Sequence, residues 1–128
     1  MKLEELKDNT ETLWEGELDG EQVKFFVELH EGMSHAGFAQ NSRGGVVRGA
    51  MKFMSNPIVA GLAAGYAVDA LGRYERNKRY TTRFFARDAQ EKKLYKQIVD
   101  DLMRTGHYKK VKEKHVDGGI MWELRRKM

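Results

Sequence analysis

One stretch, residues 56–74 with the sequence NPIVAGLAAGYAVDALGRY, stands apart from an otherwise polar and charged chain. Sixteen consecutive residues, 53–68, carry no charge. Either Asn56 or Ser55 can cap a helix here, and Pro57 suits a first helical turn, where a missing backbone N–H has no partner to lose. We therefore predict a helix that begins here and runs to about Gly72 or beyond it.

Small residues recur inside this predicted helix at a spacing that favours close packing. Glycine costs a helix up to about 1 kcal/mol relative to alanine, so two glycines one turn apart need a physical reason. Small residues four positions apart let another backbone approach closely, in membranes and in soluble assemblies. We predict that a second copy or another protein contacts this helix through Ala60, Gly61, Ala64 and Gly65.

Larger apolar residues form a second row on the same helix, at Ile58, Leu62 and Tyr66. The helix is therefore apolar nearly all round, and a helix of that kind must be covered on all sides. One small sheet covers only one side. The remaining cover comes from other helices of the same chain, from a partner chain or from lipid, and the sequence leaves all three open.

Lipid insertion of this stretch is the second alternative to a protein contact. A membrane-spanning helix needs about 20 apolar residues. Residues 53–72 reach that length only by including the carboxylate of Asp69. Basic residues flank both ends, so no orientation bias emerges. We therefore place membrane association through residues 53–72 below a contact with protein.

Partial alternation of polar and apolar residues indicates strands towards both ends of the chain. Asp19-Gly20 interrupts the first such pattern and suits the two-residue turn of a β-hairpin. A short third strand is predicted around Ala36–Gln40, and the β-branched and aromatic residues of 79–87 predict a central strand. A last hairpin is predicted with its turn near Asp117–Gly119. Residues 44–55 are predicted as a short helix.

The clearest boundary signals belong to a second helix. Asp88 and Glu91 fit an N-terminal capping box, and Gly106 provides a C-terminal stop. Between them, apolar residues such as Leu94 and Ile98 recur at helical spacing. The pattern predicts an amphipathic helix that docks on a sheet.

These signals together predict one α+β domain over residues 1–128. Its small antiparallel sheet consists of two β-hairpins plus a central strand, packed by the Gly/Ala-rich apolar helix and the C-terminal amphipathic helix. The domain divides into an acidic N-terminal hairpin region (1–42), a Gly/Ala-rich helical region (43–78) and a basic strand–helix–hairpin region (79–128).

The net charge of +4 conceals an asymmetry between the two parts of the chain. Residues 1–42 hold three lysines against eight Glu and two Asp, whereas residues 43–128 hold twenty Lys and Arg against nine acids. Such a division is typical of a basic surface for an anionic partner. It is equally consistent with attraction between the two parts, within one chain or head-to-tail between chains.

Nucleic-acid binding is the leading alternative function. Residues 73–87 interleave basic residues with aromatic ones, and single-strand binders combine cations for phosphates with aromatic rings for base stacking. The last hairpin adds further lysines. The predicted nucleic-acid contacts are Arg73, Arg76, Arg79, Arg83, Arg87, Lys109, Lys110 and Lys112.

Catalytic, metal and cofactor motifs are not recognisable in the sequence. The chain has no cysteine, which excludes disulfides, thiol catalysis and cysteine-ligated zinc. His30 and His35 are five residues apart, and two histidines on one helix face need a spacing of four. We therefore predict no catalytic residue, no metal and no cofactor.

The sequence thus favours a non-enzymatic structural or assembly module whose partner is itself or another protein. We expect it in the cytoplasm or assembled in a virion, because the first residues lack the apolar run of a secretory signal. In general cast, as a short cysteine-free chain without an enzymatic motif, it is similar to small accessory or virion proteins of tailed bacteriophages and bacteria.

Overall fold

The computed structural model describes residues 10–30, 33–42, 45–47, 51–74 and 81–127. In these ranges the strands are β1 (Thr10–Leu18), β2 (Glu21–His30), β3 (Met33–Ser42), β4 (Gly45–Val47), β5 (Thr81–Ala86), β6 (Tyr108–Val116) and β7 (Gly119–Arg126). The helices are α1 (Pro57–Arg73) and α2 (Ala89–Arg104), and a short 3-10 helix (Lys52–Ser55) precedes α1.

Six strands form one sheet in the order β1-β2-β3-β5-β7-β6, and the short β4 pairs with the end of β3. Neighbouring strands are antiparallel except β3 and β5, which run parallel. The α+β prediction is confirmed, but the predicted small antiparallel sheet is wrong, since the sheet is larger and mixed. A parallel pair needs a crossover connection, and α1 lies in that connection. Local sequence patterns do not show which strands become neighbours.

Both predicted hairpins are confirmed, because β1 pairs with β2 and β6 pairs with β7 in antiparallel fashion. The first turn places Asp19 at φ 52° and Gly20 at φ 81°. Positive φ at both central residues is what the favoured two-residue hairpin turn requires. At the second turn Gly118 has φ 79°.

The region between β3 and α1 departs from the sequence prediction. The third strand is longer than expected, extending over Met33–Ser42. The short helix predicted for residues 44–55 is wrong in its described part, where β4 and a 3-10 helix occur instead; residues 44 and 48–50 lie outside the described residues. The 3-10 turn buries Phe53 and Met54 in the core, so tertiary packing outweighs the helical signal there.

The N-cap residues of both helices are confirmed, whereas the predicted capping box of α2 forms only in part, because the Glu91 carboxylate accepts from the N–H of Arg87 and not from that of Asp88. The Asn56 side chain accepts hydrogen bonds from the N–H groups of Ile58 (3.1 Å) and Val59 (3.4 Å) at the start of α1. Asp88 does the same for the N–H groups of Gln90 (3.0 Å) and Glu91 (2.9 Å) at the start of α2. These bonds satisfy donors that have no partner within the helix.

Both helices pack on the same face of the sheet and against each other. Alternate residues of the central strands point into this core, because successive side chains of a strand lie on opposite faces. The strands contribute Val23, Phe25, Val27, Phe38, Phe84 and Leu124, α1 contributes Ala63, Ala64, Ala67 and Leu71, and α2 contributes Leu94, Ile98 and Leu102. We call the opposite side of the sheet the back face.

Candidate functional site

The side of α1 that points away from the core is apolar. The exposed fractions are 78% for Ile58, 52% for Leu62 and 40% for Tyr66. Of the four large hydrophobic side chains exposed in the described part of the chain, three therefore lie on this helix. We call the surface of Ile58, Gly61, Leu62, Gly65 and Tyr66 the outer face of α1.

The two glycines of this outer face have open space above them. A Cβ atom placed on Gly61 or on Gly65 would meet no other heavy atom within 4 Å. Neither residue has positive φ, since both lie within the regular helix. The described part of the fold therefore gives no steric reason for glycine at either position, and the helical penalty of about 1 kcal/mol per glycine stays uncompensated.

The four predicted contact residues divide between two environments. Ala60 and Ala64 are buried in the core of their own chain, on the side of α1 that faces the sheet. Gly61 and Gly65 lie on the outer face. Of the predicted contact residues, only the two glycines are therefore available to a partner. The large apolar residues beside them, Ile58, Leu62 and Tyr66, were predicted from the sequence to form a separate row.

One aromatic stack links the outer face to the sheet. The ring of Tyr66 lies 4.7 Å from that of Trp14 on β1, at an interplanar angle of 13°. Stacked rings of this kind add about 0.5–1.5 kcal/mol to the burial of their area. The stack holds Tyr66 in place while leaving part of its ring exposed.

A groove of about 750 Å³, bordered by charged residues, continues from the outer face between the ends of α1 and α2. Arg126 crosses it and donates to the Gly72 carbonyl and to the Tyr108 hydroxyl, both at 3.2 Å. Arg73 pairs with Asp69 on the same helix. Charged groups thus border the apolar surface at this end.

Those of the predicted nucleic-acid contacts that the structure describes do not form one surface. Arg76 and Arg79 lie outside the described residues. Arg73 is at the exposed end of α1, on the helix side of the sheet, whereas Arg83 is on the back face. Arg83 donates to the Glu123 carboxylate at 2.7 Å, so its charge is already engaged.

The remaining predicted contacts also divide between the two sides of the sheet. The Arg87 guanidinium lies 5.3 Å from the centre of the Phe85 ring. Lys110 forms an ion pair with Glu113 at 3.2 Å, and this bond, with one from the Trp122 indole, lowers the pKa of the Glu113 carboxyl. Lys109 and Lys112 are exposed on the edge strand β6. The aromatics proposed for base stacking include Phe84 and Tyr74, which are buried.

A row of charged residues crosses the back face. Strand register places Glu28 opposite His35, His35 opposite Arg83, Arg83 opposite Glu123 and Glu123 opposite Lys112. Glu28 and Glu123 are both buried. The sequence alone does not reveal this row, because the row depends on which strands are neighbours and in what register they pair.

A cleft of about 270 Å³ lies next to this row, where β3 and β5 diverge. Tyr95 reaches into the gap from α2, and its hydroxyl accepts a hydrogen bond from the N–H of Phe38 at 3.1 Å. The carboxylate of Glu91, also at the cleft, accepts a bond from the N–H of Arg87 at 3.1 Å. Burial raises the pKa of Glu91 and of Tyr95 above their ordinary values.

Two further features can be examined in the structure: groups of side chains that could bind a metal ion, and helices that could cross a membrane. Within the described ranges, no three or more His, Asp or Glu side chains converge where they could hold a metal ion. No helix in that same part of the chain has the length and apolar character needed to cross a membrane. The stretch 53–72, proposed for lipid insertion, is divided between a 3-10 turn and the 17 residues of α1.

Comparison of this chain with protein-family models, with curated proteins and with solved structures finds no match.

Proposed function

We propose that this protein is a non-enzymatic assembly module that self-associates through the outer face of α1. The observation that carries the proposal is the combination of three exposed large apolar residues with two glycines that have open space above them. Burial of exposed apolar area on association is favourable by about 25 cal/mol per Å². Glycine removes the side chains that would hold a partner helix away.

The outer face is complementary in shape to a second copy of itself. Consider two α1 helices packed antiparallel, with a two-fold axis between residues 63 and 64. Leu62 of each helix then falls opposite Gly65 of the other, and Tyr66 falls opposite Gly61. Leu62 and Tyr66 therefore each meet a position without a side chain, as ridges-into-grooves packing requires. A two-fold contact uses the same patch on both copies, so one surface suffices for a dimer.

Leucine substitutions at the glycines test the proposal. We expect wild-type protein to have a mass above the 14.8 kDa of one chain by light scattering. At high salt, Gly65→Leu and Gly61→Leu should lower that mass towards the monomer, because a side chain there keeps the partner backbone at a distance. Neither variant should unfold, since the structure places nothing within 4 Å of the new Cβ atom.

The matched control is Gln97→Leu, which adds a leucine at an exposed position of α2 and should leave the mass unchanged. An apolar contact is weakly sensitive to salt, so the wild-type mass should persist at high ionic strength. A wild type that is monomeric at every concentration would overturn the proposal.

Nucleic-acid binding is less well supported as a function than self-association. The described cations of the predicted set lie on both sides of the sheet, and three of them, Arg73, Arg83 and Lys110, are already in ion pairs. The place of action, in the cytoplasm or within a virion, stays a prediction from the sequence.

A further inference from the structure

The two outer strands of the sheet carry opposite charge. Among the described residues, β1 and β6 are the two end strands of the six-strand order, and each has a neighbour on one side only. An outer strand presents unpaired backbone N–H and C=O groups, which can pair with another strand. Strand β1 carries exposed Glu11, Glu15 and Glu17 and no basic residue. Strand β6 carries exposed Lys109, Lys110, Lys112 and Lys114 with one acid.

We propose that β6 of one copy pairs with β1 of the next, so that the sheet continues from chain to chain. This contact involves neither the outer face of α1 nor the geometry of a two-fold dimer. It is a head-to-tail contact between two different surfaces. Such a contact produces a ring if the rotation between copies closes and a filament if it does not.

The direction of the two outer strands suits this addition. Each antiparallel junction reverses the chain direction, and the parallel junction between β3 and β5 preserves it. Four reversals separate β1 from β6, so the two outer strands run the same way. A second copy placed beside the first in the same orientation therefore brings β6 and β1 together as a parallel pair.

The charged side chains also lie on matching sides. Glu15 is opposite Lys24 on β2, and Lys112 is opposite Glu123 on β7, which places both on the back face. Glu17 and Lys114 follow two residues later on the same side, because strand side chains alternate. The acidic pair and the lysine pair therefore have the same spacing and the same orientation.

These groups are accessible. The side chain of Glu15 contacts Lys24 at 3.6 Å and is still 63% exposed. Within the described part of the chain, Lys112 and Lys114 form no ion pair. The contact therefore does not require an existing buried ion pair to break.

The outer strands of two copies can pair in three combinations, β1–β1, β6–β6 and β1–β6, and the same charges favour only the last. Two β1 strands placed side by side repel through their carboxylates, and two β6 strands repel through their lysines. Edge charges and bulges commonly protect sheets from unselective pairing, and both strands have a bulge, near Leu13 and near Val111. Because the two edges differ in sign, only the β1–β6 combination is attractive.

Charge reversal tests this proposal in a Gly65→Leu background, where the proposed α1 contact is removed. We expect sedimentation velocity at low salt to show species above 14.8 kDa, and the species should dissociate as salt is added. Glu15→Lys with Glu17→Lys, or Lys112→Glu with Lys114→Glu, should each weaken association about tenfold or more. The variant that combines all four changes restores opposite charges and should associate again.

The control is Lys92→Glu with Lys93→Glu, which changes the net charge as much as the reversal of Lys112 and Lys114 but on exposed positions of α2, and it should leave association intact. A Gly65→Leu protein that is monomeric at low salt would overturn the edge contact while leaving the α1 proposal standing. The edge contact would also be overturned if charge reversal on one strand did not weaken association, or if the variant with all four substitutions did not associate again. So would a monomer whose β6 lysines bind an oligonucleotide, since that result assigns them to nucleic acid.

Discussion

The two helices of this protein occupy the same layer and differ on the side that faces away from the sheet. α1 has 17 residues and α2 has 16, both have an Asn or Asp cap, and both pack on the same sheet face. The outward side of α2 carries Lys92, Lys93, Lys96 and Gln97, all exposed. The outward side of α1 carries Ile58, Leu62 and Tyr66 with glycines between them.

The comparison shows that the fold requires apolar residues on the inward side of each helix but does not require an apolar outward side. The inward sides of both helices bury apolar residues, and either outward pattern is compatible with that packing. α2 has the surface expected of a helix that stays in water, including a Lys96–Asp100 pair one turn apart at 2.9 Å. α1 has exposed apolar area and glycines that weaken the helix, and neither property benefits an isolated monomer.

The largest expected effect comes from truncating the same residue type on the two helices. Ile98→Ala on α2 should lower the free energy of unfolding by about 2–5 kcal/mol, because Ile98 is fully buried. Ile58→Ala on α1 should change it by less than about 0.5 kcal/mol in dilute protein, where the side chain is exposed. Urea unfolding of both variants measures the two values.

The Ile58→Ala variant becomes informative as concentration rises. If the outer face of α1 is buried between copies, the Ile58→Ala variant should be less stable than the wild type only at concentrations where the wild type associates. A large loss in dilute protein would show instead that Ile58 is packed within its own chain.

Replacing a glycine by alanine should have a smaller effect and the opposite sign. Gly65→Ala is expected to stabilise the dilute monomer by up to about 1 kcal/mol, because alanine is the better helix former and its Cβ meets open space. The matching change on α2, Gln97→Ala, should alter stability by only a few tenths of a kcal/mol. Thermal unfolding of both variants and the wild type gives the comparison.

A stabilised Gly65→Ala monomer that also associates less would show directly that this glycine exchanges helix stability for contact. A destabilised monomer would contradict the open space above Gly65.

The smallest expected effect depends on pH and lies at the start of α2. Burial raises the pKa of Glu91 in the folded protein above its ordinary value of 4.5, so the folded state holds this proton more tightly than the unfolded chain does. The contribution of Glu91 to stability is therefore most favourable below pH 4.5 and decreases as pH rises through the folded pKa.

Glu91→Gln removes this dependence while keeping an oxygen that can accept from the N–H of Arg87. The variant should gain stability relative to the wild type as pH rises above 4.5. Paired urea titrations across that range measure the difference. A difference that stays constant with pH would contradict the buried state of this carboxyl.

Local signals predicted the parts of the fold that depend on a few neighbouring residues. Asn56 and Asp88 act as caps where the sequence placed them, and Asp19-Gly20 forms its turn, because cap and turn preferences are properties of short segments. The strand β4 and the 3-10 turn were missed. Their conformation follows from pairing with β3 and from burial of Phe53, which a local pattern does not contain.

In the candidate site, too, some features follow from short segments of sequence and others only from the tertiary structure. The sequence by itself determined that residues 57–73 form a helix with small residues on one row and large apolar residues on another. Only the tertiary structure decided how the small residues divide, since Ala64 is buried in the core while Gly65, the next residue, is exposed. Likewise the sequence determined that the two ends of the chain differ in charge. The order of the strands, set by long-range pairing through the β3–β5 crossover, placed that acidic and that basic strand at opposite edges of one sheet.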